Sequence, residues 1–177
     1  MFDPIAYYSP ETLIFPAIAQ SFADTGTLDP VAFYLILDWK APRARTRHRS
    51  RLARIGGSFN EAVHQIAADL RGATGPEEQL RLLLTKWGFR LPTASAIVTV
   101  LYPDKFTIYD IRVCNALHAF HQLGNMKWSP PAWEEYRRFI GAVRDAAPQG
   151  LSLRDCDRWL WGRDKQETLR NELVESS

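Results

Sequence analysis

The chain has 177 residues, 46% of them hydrophobic and 24% charged, with a formal net charge of +2. That composition excludes wholesale disorder and is enough for one domain with a proper core, spanning 1–177. Two cysteines, Cys114 and Cys156, are too few for a disulfide framework or a four-thiolate cluster, and both are expected as buried thiols within helices. The four histidines include no i, i+4 pair and no HExxH, so neither a metal nor another cofactor is expected.

Taken in chain order, the helix signals are mostly prolines and capping residues. Ser9-Pro10 opens a first segment, in which "TLIFPAI" is the one stretch of ambiguous type. Asp29-Pro30 opens "DPVAFYLILDWK", and Ser58 with Glu61 forms a capping box before "FNEAVHQIAADL". Thr74-Gly75-Pro76 introduces "EEQLRLLLTKW", which Gly88 ends, and Pro92 enters the first turn of "PTASAIVTVLY". Asp110 caps "DIRVCNALHAFHQL", Ser129-Pro130 leads "PAWEEYRRFIGAVRDAA", and Ser152 with Asp155 starts the last helical region. Nothing reads as a succession of strands. The fold class expected is all-α: a single compact helical domain of eight or nine helices, without internal repeats. Connections are short except for the arginine-rich stretch, which is open to partial helix.

Charge is unevenly distributed. "KAPRARTRHRSRLAR", Lys40 to Arg54, holds seven cations and no acid, leaving 15 of the 22 basic residues to face all 20 acids elsewhere. Such a run suits a polyanion, because each neutralised phosphate releases counterions and the planar guanidinium matches phosphate oxygens. A solvated, self-repelling loop is the plain alternative. The run by itself does not separate DNA from RNA.

"LLLTKWGFRLPTASAIVTVL" has the outline of two helices joined by a tight glycine turn, with small residues where the second begins. Such hairpins aim backbone N–H groups at phosphates. Seventeen residues after Thr93, past "YPDKFTIYD", stands Asp110 at the head of the next helix. Here the sequence resembles the helix–hairpin–helix (HhH-GPD) DNA glycosylase superfamily, whose hairpin LPGVGxKTA is followed at that spacing by a catalytic aspartate. Aligning Thr93-Ala94 on the motif's TA puts Gly88 on the first hairpin glycine and Asp110 on the catalytic acid. More specifically, it is similar to small bacterial 8-oxoguanine-glycosylase-like proteins through "DWKAPR", "LPTASAIVTVLYPDKFTIYDIRV" and "LRDCDRWLWGRDK", so that the resemblance runs from about Val31 to Lys165. Two departures stand out: Arg90 replaces the second hairpin glycine, and Pro92 occupies the place of the lysine that bifunctional members use for strand cleavage.

The resemblance implies a DNA N-glycosylase without lyase activity, acting on double-stranded DNA and using no cofactor. Asp110 would stabilise the oxocarbenium-like transition state and orient water, a role compatible with an ordinary N-cap. The flipped base needs stacking faces and polar discriminators. Trp39, Tyr109, Trp159 and Trp161 are candidate walls, and Lys40 and Asp157 candidate polar contacts, against core packing as the alternative for each aromatic. Arg43, Arg45, Arg47, Lys86, Gly88, Arg90 and Thr93 are the candidate DNA contacts. Lys40 and Lys86 are the candidate substitute nucleophiles.

The excised base is open between a damaged base in repair and a hypermodified cytosine, such as glucosylated 5-hydroxymethylcytosine, in antiviral defence. The rival reading is a non-catalytic DNA-binding or damage-sensing module; an RNA binder is a third. With no basic leader at the start and no apolar run near the roughly 20 residues of a membrane span, a cytoplasmic protein with no membrane association is expected, as a monomer.

Overall fold

In a computed structural model of the chain, which describes residues 9–174, every regular element is helical and no strand occurs among those residues. The chain comprises two compact units, 1–103 and 104–177.

The first unit begins with α1 (Glu11–Leu13), a π-helical segment (Ile14–Ile18) and α2 (Ala19–Thr25) in one continuous run. This is the stretch of ambiguous type, and Pro16 accounts for its geometry. Proline has no N–H, and its ring would strike the carbonyl four residues back, so the turn widens to the π form. There follow α3 (Pro30–Lys40), α4 (Arg45–Gly56), α5 (Phe59–Gly72), α6 (Pro76–Thr85) and α7 (Leu91–Leu101). The second unit holds α8 (Ile111–Leu117), a short 3-10 turn (Leu123–Asn125), α9 (Pro130–Ala146) and α10 (Leu153–Val174). With the first run counted as one rod, the described residues form nine helices, as the sequence leads one to expect.

The caps lie where local sequence puts them. Asp29 accepts the Ala32 N–H at 2.8 Å, Ser58 that of Glu61 at 3.1 Å, and Ser129 that of Ala132 at 3.3 Å. Ser152 accepts the Asp155 N–H at 3.1 Å while its hydroxyl donates to the Asp155 carboxylate at 2.7 Å. Each satisfies a donor that a helix start leaves without an intrahelical partner. The arginine-rich stretch is partly helical: residues 41–44 stay outside a helix and α4 runs on from Arg45. Its inner face is supplied by His48 and Leu52, both buried at i, i+4 spacing.

The middle of the first unit is α7, buried from Thr93 to Leu101. It has no polar face because α2, α3, α6 and the π segment all pack on it. Two of its three buried hydroxyl residues turn back on their own helix: Thr99 donates to the Ser95 carbonyl at 2.7 Å and Ser95 to the Pro92 carbonyl at 3.3 Å. Phe33, Ile36, Leu37, Val63, Ile66, Leu70, Leu83 and Trp87 are fully buried in the same unit. In the second unit α10 packs on both α8 and α9. Phe139 stands among Tyr109, Phe120 and Tyr136, with ring centroids 5.5, 5.5 and 6.1 Å away. Both cysteines are buried and free. No described helix is long and apolar enough to cross a membrane.

Candidate nucleic-acid interface and candidate carboxylate site

The hairpin of the first unit occupies residues 86–90, between α6 and α7. Its exit from α6 is closed by backbone bonds: Lys86 and Trp87 N–H both donate to the Leu82 carbonyl, at 3.0 and 3.1 Å, and Phe89 N–H to that of Leu83 at 3.0 Å. Gly88 between them sits at φ +64°, the left-handed region where a side chain is disfavoured. Gly88 and Arg90 are exposed, and their N–H groups meet no acceptor among the described residues. Backbone donors without an acceptor, on exposed residues of a tight turn, are what an anion requires. Thr93 points the other way. It is buried, and its N–H goes to the Arg90 carbonyl at 3.0 Å, so this predicted DNA contact belongs to the fold's interior.

The arginine helix reaches this turn directly, which the sequence did not disclose. The Arg51 guanidinium lies 4.9 Å from the Phe89 ring centre and its Nη2 is 3.2 Å from His48 Nδ1. The His48 ring is 5.3 Å from the same phenylalanine. A Cβ placed on Gly88 would stand 3.7 Å from Arg51 Nε, so the cation is beside the glycine. That Nε is buried with no acceptor among the described residues. Burial, then the charges of Arg51 and Arg47, lower the His48 pKa to about 4. The ring is therefore neutral near pH 7 and can accept from Arg51. Burial also lowers the Arg51 pKa, with Arg47 and Arg54 adding to it.

The other predicted contacts divide by their partners. Arg43, Arg47, Arg49 and Arg54 are exposed and form no ion pair among the described residues. Arg45 is exposed but paired with Asp38. Lys86 is held by Asp69 at 2.6 Å, and the Trp87 indole N–H donates to the same carboxylate at 2.8 Å. The Lys86 ammonium is thus engaged by an acid of the same unit, in a pair that stays solvent-exposed. Trp39 and Lys40 are part-buried at the end of α3, with Phe15 packed edge-on against Trp39 at 5.6 Å.

In the second unit the approach to Asp110 is buried from Phe106 through Tyr109, and Asp110 itself is only part-buried. It is the N-cap of α8, its Oδ1 accepting the Arg112 N–H at 3.1 Å. Arg112 extends the site: its guanidinium donates to Asp164 at 2.8 Å and lies 5.4 Å from the ring centre of Trp161, which is 42% exposed. The predicted acid and a predicted aromatic wall are thus joined through an arginine that sequence reading passed over. The signal was there in its position, two residues into the capped turn. Trp159 is also exposed, with the Arg163 guanidinium 5.5 Å from its ring.

Two predicted pocket residues lie in the interior instead. Tyr109 is 5% exposed, and its hydroxyl is shared between the carbonyls of Phe120 and His121 at 3.0 and 3.1 Å. Gly124 permits that seat, since a Cβ there would be 2.8 Å from the ring. Burial, with the Asp110 charge among lesser causes, pushes the Tyr109 phenol up to about 12. Asp157 is 3% exposed, ion-paired with Arg154 and hydrogen-bonded to the segment before Asp110. Both were read as surfaces for a base; both brace the loop that delivers the carboxylate. A separate open, polar cavity of about 310 Å³, lined by Asn115, His118, His121, Asp164 and Glu167 among others, lies along α8 and α10. The described residues contain no cluster of three or more histidine, cysteine or acidic side chains arranged to hold a metal. Against protein-family models, curated proteins and solved structures, the chain finds no match.

Proposed function

We propose that the protein is a monofunctional DNA glycosylase that hydrolyses the N-glycosidic bond of a flipped-out damaged or modified base. The observation that carries the reading is Asp110: a part-accessible carboxylate fixed as a helix cap immediately after a buried, braced segment. An acid held still beside the sugar stabilises the positive charge that develops at C1′ as the bond's electron pair leaves with the base. It also orients a water whose oxygen bonds to C1′ and whose proton passes to the carboxylate. The N–H groups of the exposed Gly88 and Arg90, without an acceptor among the described residues, and Arg51 beside Gly88 support duplex binding through phosphates. Arg112, two residues past the acid in the chain, and Trp161, on which its guanidinium lies, supply a cationic and an aromatic face. Pro92 in place of the lysine argues for release of the base without strand cleavage.

The test is mass-spectrometric detection of free bases from defined damaged duplexes and from phage-type DNA bearing glucosylated 5-hydroxymethylcytosine. The wild type is expected to release one of them and to leave an alkali-labile site, and borohydride is expected to trap no adduct. Asp110→Asn should lower the rate by at least about a hundredfold while DNA affinity stays within twofold. If wild type and Asp110→Asn behave alike across the whole panel, the protein is a DNA-binding module and the enzyme reading falls.

A further inference from the structure

We infer that Tyr136 and Asp157 are positioning residues for Asp110, acting as a two-sided clamp on the peptide segment that leads into it. The inference rests on the glycosylase reading for its catalytic consequence. Residues 106–109 are buried yet belong to no helix, so their backbone polar groups need side-chain partners. Two helices supply them. From α9 the Tyr136 hydroxyl donates to the Thr107 carbonyl at 2.6 Å. From α10 one oxygen of Asp157 accepts both the Thr107 hydroxyl at 3.2 Å and the Ile108 N–H at 3.4 Å, while the other faces Arg154.

Stability alone does not call for this arrangement. An ionised pair with so little exposure gives up hydration that apolar side chains of similar volume would not have to replace. What a carboxylate supplies is two charge-assisted acceptor bonds from one oxygen, on a segment two to three residues before the proposed catalytic acid. Tyr136 is suited to the opposite side. Its burial pushes the phenol far above its ordinary pKa, so the hydroxyl keeps its proton and always donates. Tyr109, one residue before the acid, is anchored separately through Phe120 and His121. The loop is therefore held at three successive residues, and Asp110 inherits its position from them.

The clamp is tested with Tyr136→Phe, which keeps the ring packing, and Asp157→Asn, which keeps the shape. Val143→Ala, a buried α9 change about two turns along the helix from Tyr136, controls for destabilisation alone. Hydrogen exchange is followed at residues 108–112 alongside kcat and KM for base release. Both clamp variants are expected to speed exchange at Ile108 by about tenfold or more. Tyr136→Phe should lower kcat by about tenfold and Asp157→Asn by up to about a hundredfold, with KM within twofold, since small misplacements of reacting groups cost rates of this order. Val143→Ala should leave kcat unchanged. Unaltered exchange in both variants, or a loss confined to KM, overturns the clamp. A wild type inactive on every substrate sinks the glycosylase reading alone, because the exchange measurement still decides the clamp.

Discussion

Gly88 and His48 show how single residues set the properties of the first unit. At φ +64° an added Cβ has Arg51 side-chain atoms as its nearest neighbours, Nε first at an ordinary 3.7 Å, so Gly88→Ala costs backbone strain and not a clash. The expected loss is about 1–2 kcal/mol in a urea titration. For His48 the folded pKa of about 4 lies below the ordinary histidine value of 6.5. Unfolding therefore takes up a proton between those values. Stability is full above pH 6.5 and declines as pH falls toward about 4, where the folded ring also protonates. His48→Gln should flatten this segment of a stability-against-pH curve measured by thermal unfolding. Persistence of the slope would assign it to other groups.

At the scale of the element, α4 combines a buried side, with His48 and Leu52 inside and Arg51 against Phe89, and exposed cations Arg47, Arg49 and Arg54 distributed around the rest of its surface. These cations should dominate the salt dependence of the proposed DNA binding. Arg47→Ala with Arg49→Ala is expected to reduce the slope of log K against log salt by about 2, at roughly 0.9 per phosphate contact. Arg45→Ala should change it less, because Asp38 already neutralises that charge. Fluorescence anisotropy across a salt series checks both. In the second unit α8 is short, and its cap, its Arg112–Asp164 pair and its contact with α10 hold it together as the carrier of Asp110.

Over the whole molecule, each of the two units has its own interior, and each holds part of the chemistry proposed. In the second, Phe139 is the hub of the aromatic cluster around Tyr109, Phe120 and Tyr136. Phe139→Ala is expected to lower stability by about 3–5 kcal/mol, read by chemical denaturation, since it removes packing that no neighbour can restore. Helix number and most helix starts were legible beforehand, because Asp29, Ser58, Asp110, Ser129 and Ser152 act on N–H groups two or three residues away. The π segment was only half-legible: Pro16 signalled irregularity without saying whether the helix would break or widen. Within the sites, Asp110 as a cap was readable from its own neighbourhood.

The reach of each interaction explains the division. What the sequence alone determined were the features governed by nearest neighbours: the all-helical class, the caps, the tight glycine turn and the concentration of arginine. Tertiary structure alone decided which polar groups are spent inside the fold. Asp157 meets Thr107 from 50 residues away, Arg112 meets Asp164 from 52, and Trp87 meets Asp69 from 18. Those pairings depend on which helix faces share an interior, and desolvation there turns an apparently available aspartate or tyrosine into a brace.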